Sequence, residues 1–212
     1  MRTRTQLINH IRGAVKAVGG QLPASSAPAF ATKVEAHIPP ELAAALTPLL
    51  TLVRAVTNQI RALDHTLDVL ARARYPETRH LRQVAGVGPL IALCYVLTLE
   101  DPRRFHSSRA VGAYLGLCPR QDDSGARQLQ LRITKRGDAM LRRLLVSGAQ
   151  YILGPFGPDC DLRRWGLALA ARGGGDARKR AVVAVARKLA ALLHRLWVTE
   201  GVYQPLRLRP AA

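Results

Sequence analysis

The sequence predicts a mainly α-helical protein, with a helical arm followed by a compact helical domain. Three observations lead to this fold class. Apolar residues recur at spacings of three and four along most of the 212-residue chain, which is the period of a helix. Aromatic residues make up only 5% of the chain, whereas Ala and Leu are abundant, and this composition favours helices over strands. Glycine and proline groups interrupt the apolar pattern, and such groups mark helix ends.

The first 46 residues predict two short helices joined by a linker. Residues 3–18 carry apolar positions at helical spacing, and Gly19 and Gly20 then end the run. Residues 21–32 are rich in Pro, Ala and Ser and are expected to be a linker. A second short helix should follow Pro40, with Leu42 and Leu46 on its apolar face.

A longer helix is predicted to begin at Thr47 and Pro48, where a cap is followed by proline at the first helical position. It should end near Pro76. Its apolar residues alternate spacings of four and three over three heptads, at Leu49, Val53, Val56, Ile60, Leu63, Leu67 and Leu70.

The heptads are typical of a coiled coil, formed within the chain or between subunits. The alternative is a single amphipathic helix packed on its own domain. Asp64 and Asp68 lie one turn apart on the outer face, where solvated charge is the expected role, and we predict no metal site there. We place the arm at residues 1–78 and the second domain at 79–212.

The second domain predicts five helices around one polar loop. The loop, residues 116–131, should contain only short extended pieces. The helices are expected at residues 89–99, 108–115, 137–153, 162–171 and 179–197.

Gly86, Val87 and Gly88 lie between two apolar helical runs. Glycines permit positive φ and close approach of another chain, and free amides at a helix start can bind a phosphate oxygen. The pattern predicts a helix-hairpin-helix that grips a nucleic-acid backbone. The alternative is a tight turn between helices that binds nothing.

Ser124 lies in the segment Q-D-D-S-G between two apolar stretches. A serine hydroxyl becomes a nucleophile when a base, a metal or fixed cations activate it, and Arg120 and Arg127 are near enough in sequence to hold a phosphate. The composition fits a plain polar turn equally well, so the residues alone leave both interpretations open.

A basic cluster surrounds the start of the helix predicted at 137–153, with Thr134 as its candidate cap and Gly137 as a point of close approach. Phosphate contact is the functional interpretation, and a solvated charged face is the alternative. The cations are Arg132, Lys135, Arg136, Arg142 and Arg143.

The whole chain is basic, with a formal net charge of +18 and a pI near 11.3. Such an excess predicts a polyanionic partner, nucleic acid first, although an Arg-rich composition also follows from a GC-rich genome. Three cysteines without a C-x-x-C pair give no zinc pattern. No stretch is long and apolar enough for a membrane span. We therefore expect a bacterial cytoplasmic protein, associated with the nucleoid and not with a membrane.

Several ordered motifs resemble the C-terminal domain of the Piv/MooV-type DEDD transposases, the insertion sequence 110 family. They are V-A-G-V-G-P-L-I-A from residue 84, D-P-R-R-F-H-S-S-R-A-V-G-A-Y-L-G-L-C-P-R from residue 101, D-S-G from residue 123 and R-I-T-K-R-G-D-A-M-L-R-R from residue 132. The resemblance covers about residues 80–200, and the heptad helix resembles the coiled-coil arm of that family.

The resemblance implies DNA recombination guided by a structured bridge RNA. It implies that Ser124 attacks a DNA phosphate and forms a covalent intermediate, beside magnesium held by four acidic residues of an N-terminal RuvC-like domain. The chain begins at the segment that follows this domain in the family, so we expect a truncated transposase that is inactive without it. The magnesium would come from the RuvC-like domain, because Glu35, Glu41, Asp64 and Asp68 form no replacement.

Three hypotheses follow. The chain is the serine-bearing part of a transposase, a binding module that grips DNA or RNA without chemistry, or an inhibitor that pairs with intact transposase or with itself through the heptad helix.

Overall fold

The computed structural model describes residues 2–120, 131–174 and 176–207, and between the first two ranges the backbone of residues 123–124 and 127–128. The described residues are mainly helical, which confirms the predicted fold class. The chain divides into two compact units, Met1–Thr66 and Leu67–Ala212. This division falls within a long helix. The boundary predicted from the sequence, at residue 78, lies after that helix. The predicted domains, 1–78 and 79–212, stay a prediction.

The first unit is built around one small apolar core. Helix α1 spans Arg2–Ala17, α2 spans Phe30–Val34, a 3-10 turn spans Glu35–His37, and the long helix α3 begins at Pro40. The predicted linker therefore ends three residues early, at residue 29, because Phe30 is fully buried and starts a helix. The core consists of Ile8, Ile11, Val15, Phe30, Ala31, Val34, Leu46, Leu50 and Val53.

Helix α3 runs unbroken over Pro40–Arg74, and the prediction of two helices separated at Thr47 is wrong. Pro48 lies inside it, where proline loses a backbone hydrogen bond and its ring crowds the preceding turn. Leu46 and Leu50, on either side of Pro48, are both buried in the first core, and this burial offsets the cost. The rule that places proline at the first helical position applies at Pro40 instead.

The heptad positions of α3 are buried unequally. Val53 is buried, Ile60 and Leu67 are half-buried, and Leu63 is 54% exposed. The apolar stripe is therefore not covered along its whole length within one chain. Pairing through it as a coiled coil stays a prediction.

The second unit surrounds a long C-terminal helix. Its elements are α4 (Thr78–Leu81), α5 (Pro89–Leu99), a 3-10 turn (Pro102–Arg104), α6 (Ser108–Tyr114), β1 (Asp123–Ser124), β2 (Arg127–Gln128), α7 (Ala139–Leu153), α8 (Asp161–Ala171) and α9 (Ala177–Thr199). Helix α9 packs against α4, α6, α7 and α8. Its buried side includes Ala181, Val185, Leu189, Leu193 and Leu196, which recur at the spacing of one helix face.

Two polar side chains tie this core together. The buried Tyr95 hydroxyl donates to the carbonyl of Ala190 at 2.6 Å, and burial raises the pKa of Tyr95 well above its ordinary value. His194 Nε2 lies 2.8 Å from the Pro102 carbonyl, and Nδ1 lies 2.9 Å from Ser108 Oγ. Because a carbonyl only accepts, Nε2 carries the hydrogen, so in a neutral ring Nδ1 accepts from the serine.

The segment after α9 is held against the second unit by side-chain bonds to its backbone. Gln83 accepts from the Tyr203 amide at 2.8 Å and donates to the Gly201 carbonyl at 3.1 Å. Asp161 accepts from the Arg207 amide at 2.8 Å. Gln83 lies three residues before Gly86, so these bonds join the segment after α9 to the chain just ahead of the predicted phosphate-binding turn. No helix among the described residues is long and apolar enough to cross a membrane.

Candidate nucleic-acid interface

The glycine hairpin, residues 82–88, joins the four-residue helix α4 to α5. The Val87 amide donates to the Val84 carbonyl at 3.0 Å and closes the turn. Gly88 caps α5 in an extended conformation, and Pro89 occupies the first turn. Gly88 offers no side chain to cap the amides at the start of α5. The local order is helix, tight turn, helix, and its function as a helix-hairpin-helix stays a prediction.

The two glycines of this hairpin differ in their surroundings. Gly86 has φ +85°, and a Cβ there would lie 2.9 Å from the Gly148 carbonyl oxygen and 3.1 Å from Tyr151 Cδ1. Gly86 is therefore needed where the hairpin packs on α7. Val87 is buried and anchors the turn, whereas a Cβ on the exposed Gly88 would meet nothing within 4 Å. Of the three predicted residues, Gly88 is the one left open to a ligand.

The loop that carries Ser124 begins as an antiparallel hairpin. We call residues 117–134 the serine hairpin. At its base the Thr134 amide donates to the Cys118 carbonyl at 2.9 Å, and the Arg120 amide donates to the Arg132 carbonyl at 3.0 Å. Pro119 pairs with Ile133 in the same antiparallel sense. The short extended pieces expected in this loop are thus two paired strands.

Further along the serine hairpin, β1 pairs with β2. Ser124 lies opposite Arg127, and Asp123 lies opposite Gln128. The side chains of Ser124 and Arg127 lie outside the described residues. The backbone register alone places an arginine position opposite the predicted nucleophile.

Two glycines lock the base of the serine hairpin, in a contact that we call the glycine crossing. Gly116 has φ +66°, and a Cβ there would overlap the backbone of Arg136. Gly137 has φ +74°, and a Cβ there would overlap the Tyr114 carbonyl. The Lys135 amide also donates to the Gly116 carbonyl at 3.1 Å. Gly137, predicted as a point of approach for a ligand, contacts the protein's own backbone.

The cap of α7 differs from the prediction. The helix begins at Ala139, and the Asp138 carboxylate accepts from the Leu141 amide at 2.5 Å. Thr134 instead lies in the ladder of the serine hairpin, five positions before the helix. The Asp-x-x-Leu spacing carries the signal that was missed, since Asp is as good an N-cap as Thr.

The cations at this end of α7 fall into two groups. Arg132, Lys135 and Arg136 are exposed, and Lys135 adopts φ +58°, which is rare for a side chain with a Cβ. Arg143 is also exposed. Arg142 differs, because its Nη1 donates to the carbonyls of Leu115 at 3.1 Å and Arg136 at 2.9 Å and so clamps the glycine crossing.

Helix α7 connects these two features. The basic cluster lies at its first residue, Ala139, and the glycine hairpin packs on Gly148, nine residues later. At 1.5 Å per residue this is about 14 Å along the axis.

The described residues offer no acidic cluster for a metal ion. Among the described residues, no group of three or more His, Cys, Asp or Glu could hold a metal ion. Asp68, one of the pair considered in α3, forms ion pairs with Arg72 at 2.8 Å and Arg82 at 2.6 Å. The described residues therefore do not fit a magnesium site, and we derive no chemical step through magnesium from them.

Two aromatic residues near the glycine hairpin escaped the sequence analysis. Tyr151 is 47% exposed and Phe156 is 84% exposed. The segment G-P-F-G-P around Phe156 has the composition of a turn, and an aromatic residue at the centre of such a turn is the signal that could have been noticed.

Comparison with known proteins identifies the domain that contains these features. Residues 78–159 match the family described as Transposase IS116/IS110/IS902 family. The matched range includes the glycine hairpin, the serine hairpin and α7. Residues 78–159 are therefore similar to a transposase domain of this family, in agreement with the resemblance found in the sequence.

Individual relatives extend the similarity over almost the whole chain. The Transposase for insertion sequence element IS1111A of Coxiella burnetii is 33% identical over 96% of this chain and 57% of its own length. The protein named Probable family 20 transposase in Pseudomonas aeruginosa is 31% identical over 97% of this chain and 62% of its own length. The chain thus spans about three fifths of the length of these relatives.

Proposed function

We propose that this chain is the DNA-binding, serine-bearing part of an insertion-sequence transposase and acts in DNA transposition. The observation that carries the proposal is the serine hairpin, because its register sets Ser124 opposite Arg127. Arg120 and Arg132, both exposed, flank its base. The sequence relatives, which are named as transposases, support the same activity.

In the proposed reaction, Ser124 Oγ attacks the phosphorus of a DNA phosphodiester. The bond between phosphorus and one of its two sugar oxygens breaks. The phosphorus stays bonded to the other sugar oxygen and forms an ester bond with Ser124 Oγ. The hydroxyl proton of Ser124 passes to a base, and the released sugar oxygen takes up a proton. Arginine side chains can neutralise the negative charge that builds on the phosphate oxygens.

Backbone binding is assigned to both ends of α7. The glycine hairpin would offer the free amides at the start of α5 to one phosphate, with the helix dipole adding attraction. Arg132, Lys135, Arg136 and Arg143 would contact phosphates at the other end. The spacing of about 14 Å lets one strand reach both points.

Magnesium and guide RNA belong to the proposal through the family. The metal would be held by acidic residues of a RuvC-like domain rather than by the residues described in this chain. A structured bridge RNA would select the DNA target, which fits a protein surface whose cations recognise backbone and not sequence.

Pairing through α3, with a second copy or with intact transposase, is the remaining partner that we propose. Leu63 supports it, since this heptad leucine is 54% exposed. Leu63→Lys should convert the pair to a monomer in sedimentation velocity. Val69→Lys is the matched control, because Val69 is 53% exposed on the same helix but lies off the heptad positions. Equal behaviour of the two variants would exclude the heptad interface.

The chemistry is tested by trapping the covalent intermediate. The chain is mixed with the RuvC-like domain of a full-length relative, magnesium, bridge RNA and labelled DNA ends, and adducts are resolved in denaturing gels. Ser124→Ala should abolish the adduct. Ser26→Ala should retain it, since Ser26 is an exposed serine of the first unit to which no binding role is assigned. An adduct that survives in Ser124→Ala would overturn the assignment.

If no adduct forms while DNA binding persists, the binding module without chemistry is the better function. Its signature is a strong salt dependence. The logarithm of the binding constant should fall with the logarithm of salt by about 0.9 per phosphate contacted. Removing Arg132 or Arg136 should then reduce that slope by about one.

A further inference from the structure

Three aromatic rings are exposed among the described residues, and two of them lie at and just after the end of α7. Most aromatic side chains of the described residues lie in or against the two cores. Trp165 is covered by the ammonium group of Lys188, 3.6 Å from its ring centre. Tyr151 lies in the last turn of α7 and Phe156 lies just after it, and both are exposed. We call Tyr151 and Phe156 the aromatic pair.

The turn that carries Phe156 is fixed by the protein. The Gly157 amide donates to the Gly154 carbonyl at 3.3 Å, and Gly154 donates to the Tyr151 carbonyl at 3.1 Å. The Arg163 guanidinium donates to the Gly154 carbonyl at 2.5 Å and also to the carbonyl of Ile152. Phe156 is therefore a large apolar ring, 84% exposed, on a backbone that has little freedom. The exposed ring is therefore free to contact a partner.

Tyr151 lies directly beside the glycine hairpin. Its Cδ1 atom is 3.1 Å from the position that a Cβ of Gly86 would occupy. Gly88, the proposed phosphate contact, is two residues from Gly86, so a strand bound there would pass near Tyr151.

We infer that the aromatic pair is a stacking site for an unpaired nucleobase of a single-stranded segment bound at the glycine hairpin. This inference rests on the backbone binding proposed above. Every base has a flat π face, and stacking on aromatic side chains is the usual way to hold unpaired bases without selecting their sequence. A fixed ring loses little freedom on binding, which favours the interaction.

The surroundings favour a nucleic acid over a protein partner. The stripe of α7 that leads to Tyr151 passes through Arg143 and Ser147, at spacings of four, and both are exposed. A cation and a hydroxyl suit phosphate and sugar, whereas an apolar groove for a protein would continue with apolar residues. The chain also carries a net charge of +18, which complements a polyanion.

The inference is tested with labelled 12-nucleotide strands by fluorescence anisotropy. The DNA and RNA strands are each compared with an abasic strand of equal length and with a duplex. Tyr151→Leu and Phe156→Leu keep apolar bulk but remove the ring, and Tyr151→Phe and Phe156→Trp keep the ring. Tyr114→Leu removes an exposed ring elsewhere in the unit and is the matched control.

Each leucine variant should weaken binding to base-bearing single strands about ten-fold, since one stacked base is worth roughly 1–3 kcal/mol. Variants that keep the ring, and Tyr114→Leu, should bind as the parent does. Abasic strands and duplex should bind all variants equally. Equal losses of affinity for DNA and RNA would indicate that bases of both stack on the aromatic pair. A loss of affinity for only one of them would identify the nucleic acid whose bases stack there.

Two outcomes would contradict the inference separately from the proposed function. If the double leucine variant binds base-bearing strands as tightly as the parent, the stacking site is excluded while backbone binding stands. If the parent binds neither abasic strands nor duplex, backbone binding fails, and the stacking site that rests on it fails too. Circular dichroism of each variant verifies that it is folded.

Discussion

The glycine hairpin and the glycine crossing both bring two backbone segments together where a Cβ would not fit, but they use their glycines differently. At the crossing, Gly116 and Gly137 each face the protein's own backbone, and neither has room for a ligand. At the hairpin, Gly86 packs on Gly148 of α7, whereas Gly88 faces open space. The sequence of a glycine motif therefore does not show which glycine can contact a ligand, because some of its glycines pack against the protein itself.

Replacing a glycine of the crossing should have the largest effect. Gly116→Ala or Gly137→Ala adds a Cβ onto a backbone group and also strains a positive φ, so the free energy of unfolding should fall by about 4 kcal/mol or more. Urea unfolding followed by tryptophan fluorescence measures it, because both tryptophans, Trp165 and Trp197, lie in the second unit.

Gly173→Ala is the control for that measurement. Gly173 has φ +82° in the same unit, but a Cβ there would meet nothing within 4 Å. Only the conformational strain remains, worth about 1 kcal/mol. Equal losses at Gly116 and Gly173 would mean that the crossing is not tightly packed.

The hairpin glycines should separate stability from binding. Gly86→Ala brings a Cβ to 2.9 Å from the Gly148 carbonyl at φ +85°, and should destabilise the second unit by about 3 kcal/mol. Gly88→Ala should change stability by less than about 1 kcal/mol but weaken duplex binding several-fold, because its methyl group stands where the phosphate would approach. If Gly88→Ala binds DNA normally, the hairpin is a packing turn only.

Two neighbouring arginines give a smaller test of the same contrast. Arg142→Ala should lower the free energy of unfolding by about 2 kcal/mol, since it removes two hydrogen bonds from a charged donor to the carbonyls of Leu115 and Arg136. Arg143→Ala should leave stability within about 0.5 kcal/mol and reduce DNA affinity at low salt. If Arg143→Ala lowered stability and Arg142→Ala lowered only DNA affinity, Arg143 would be the stabilising residue and Arg142 the DNA contact.

The smallest effect is expected at Lys135, the exposed residue with φ +58°. Lys135→Gly relieves this conformation, and stability should rise by about 0.5 kcal/mol after allowing for the greater freedom of glycine in the unfolded chain. DNA affinity should nevertheless fall, as measured by salt-dependent anisotropy. A variant that gains stability and keeps its affinity would remove Lys135 from the interface.

Sequence patterns predicted the helices well where burial follows a single period. Helix α5 was expected at residues 89–99 and is found at Pro89–Leu99, because its apolar run is bounded by proline and charge. Helix α3 was split in error at Thr47 and Pro48. A local rule on proline was applied there without knowing that Leu46 and Leu50 would be buried together.

The candidate site was predicted in its residues but not in its arrangement. The sequence marked Ser124 and its basic neighbours, yet the pairing of Ser124 with Arg127 depends on how the two strands of the hairpin meet, which the residues alone did not specify. Arg142 looked like any other cation of the cluster, because its clamp on Leu115 joins positions that are far apart in sequence.

The sequence by itself determined that the protein is helical, basic and related to transposases, since periodicity, charge and ordered motifs are properties of the chain alone. Only the tertiary structure decided which glycine stays open, which arginine is engaged and which aromatic rings remain exposed. The physical reason is that these properties depend on how close distant segments come. A difference of one or two ångströms between backbones decides whether a group contacts the protein or a ligand.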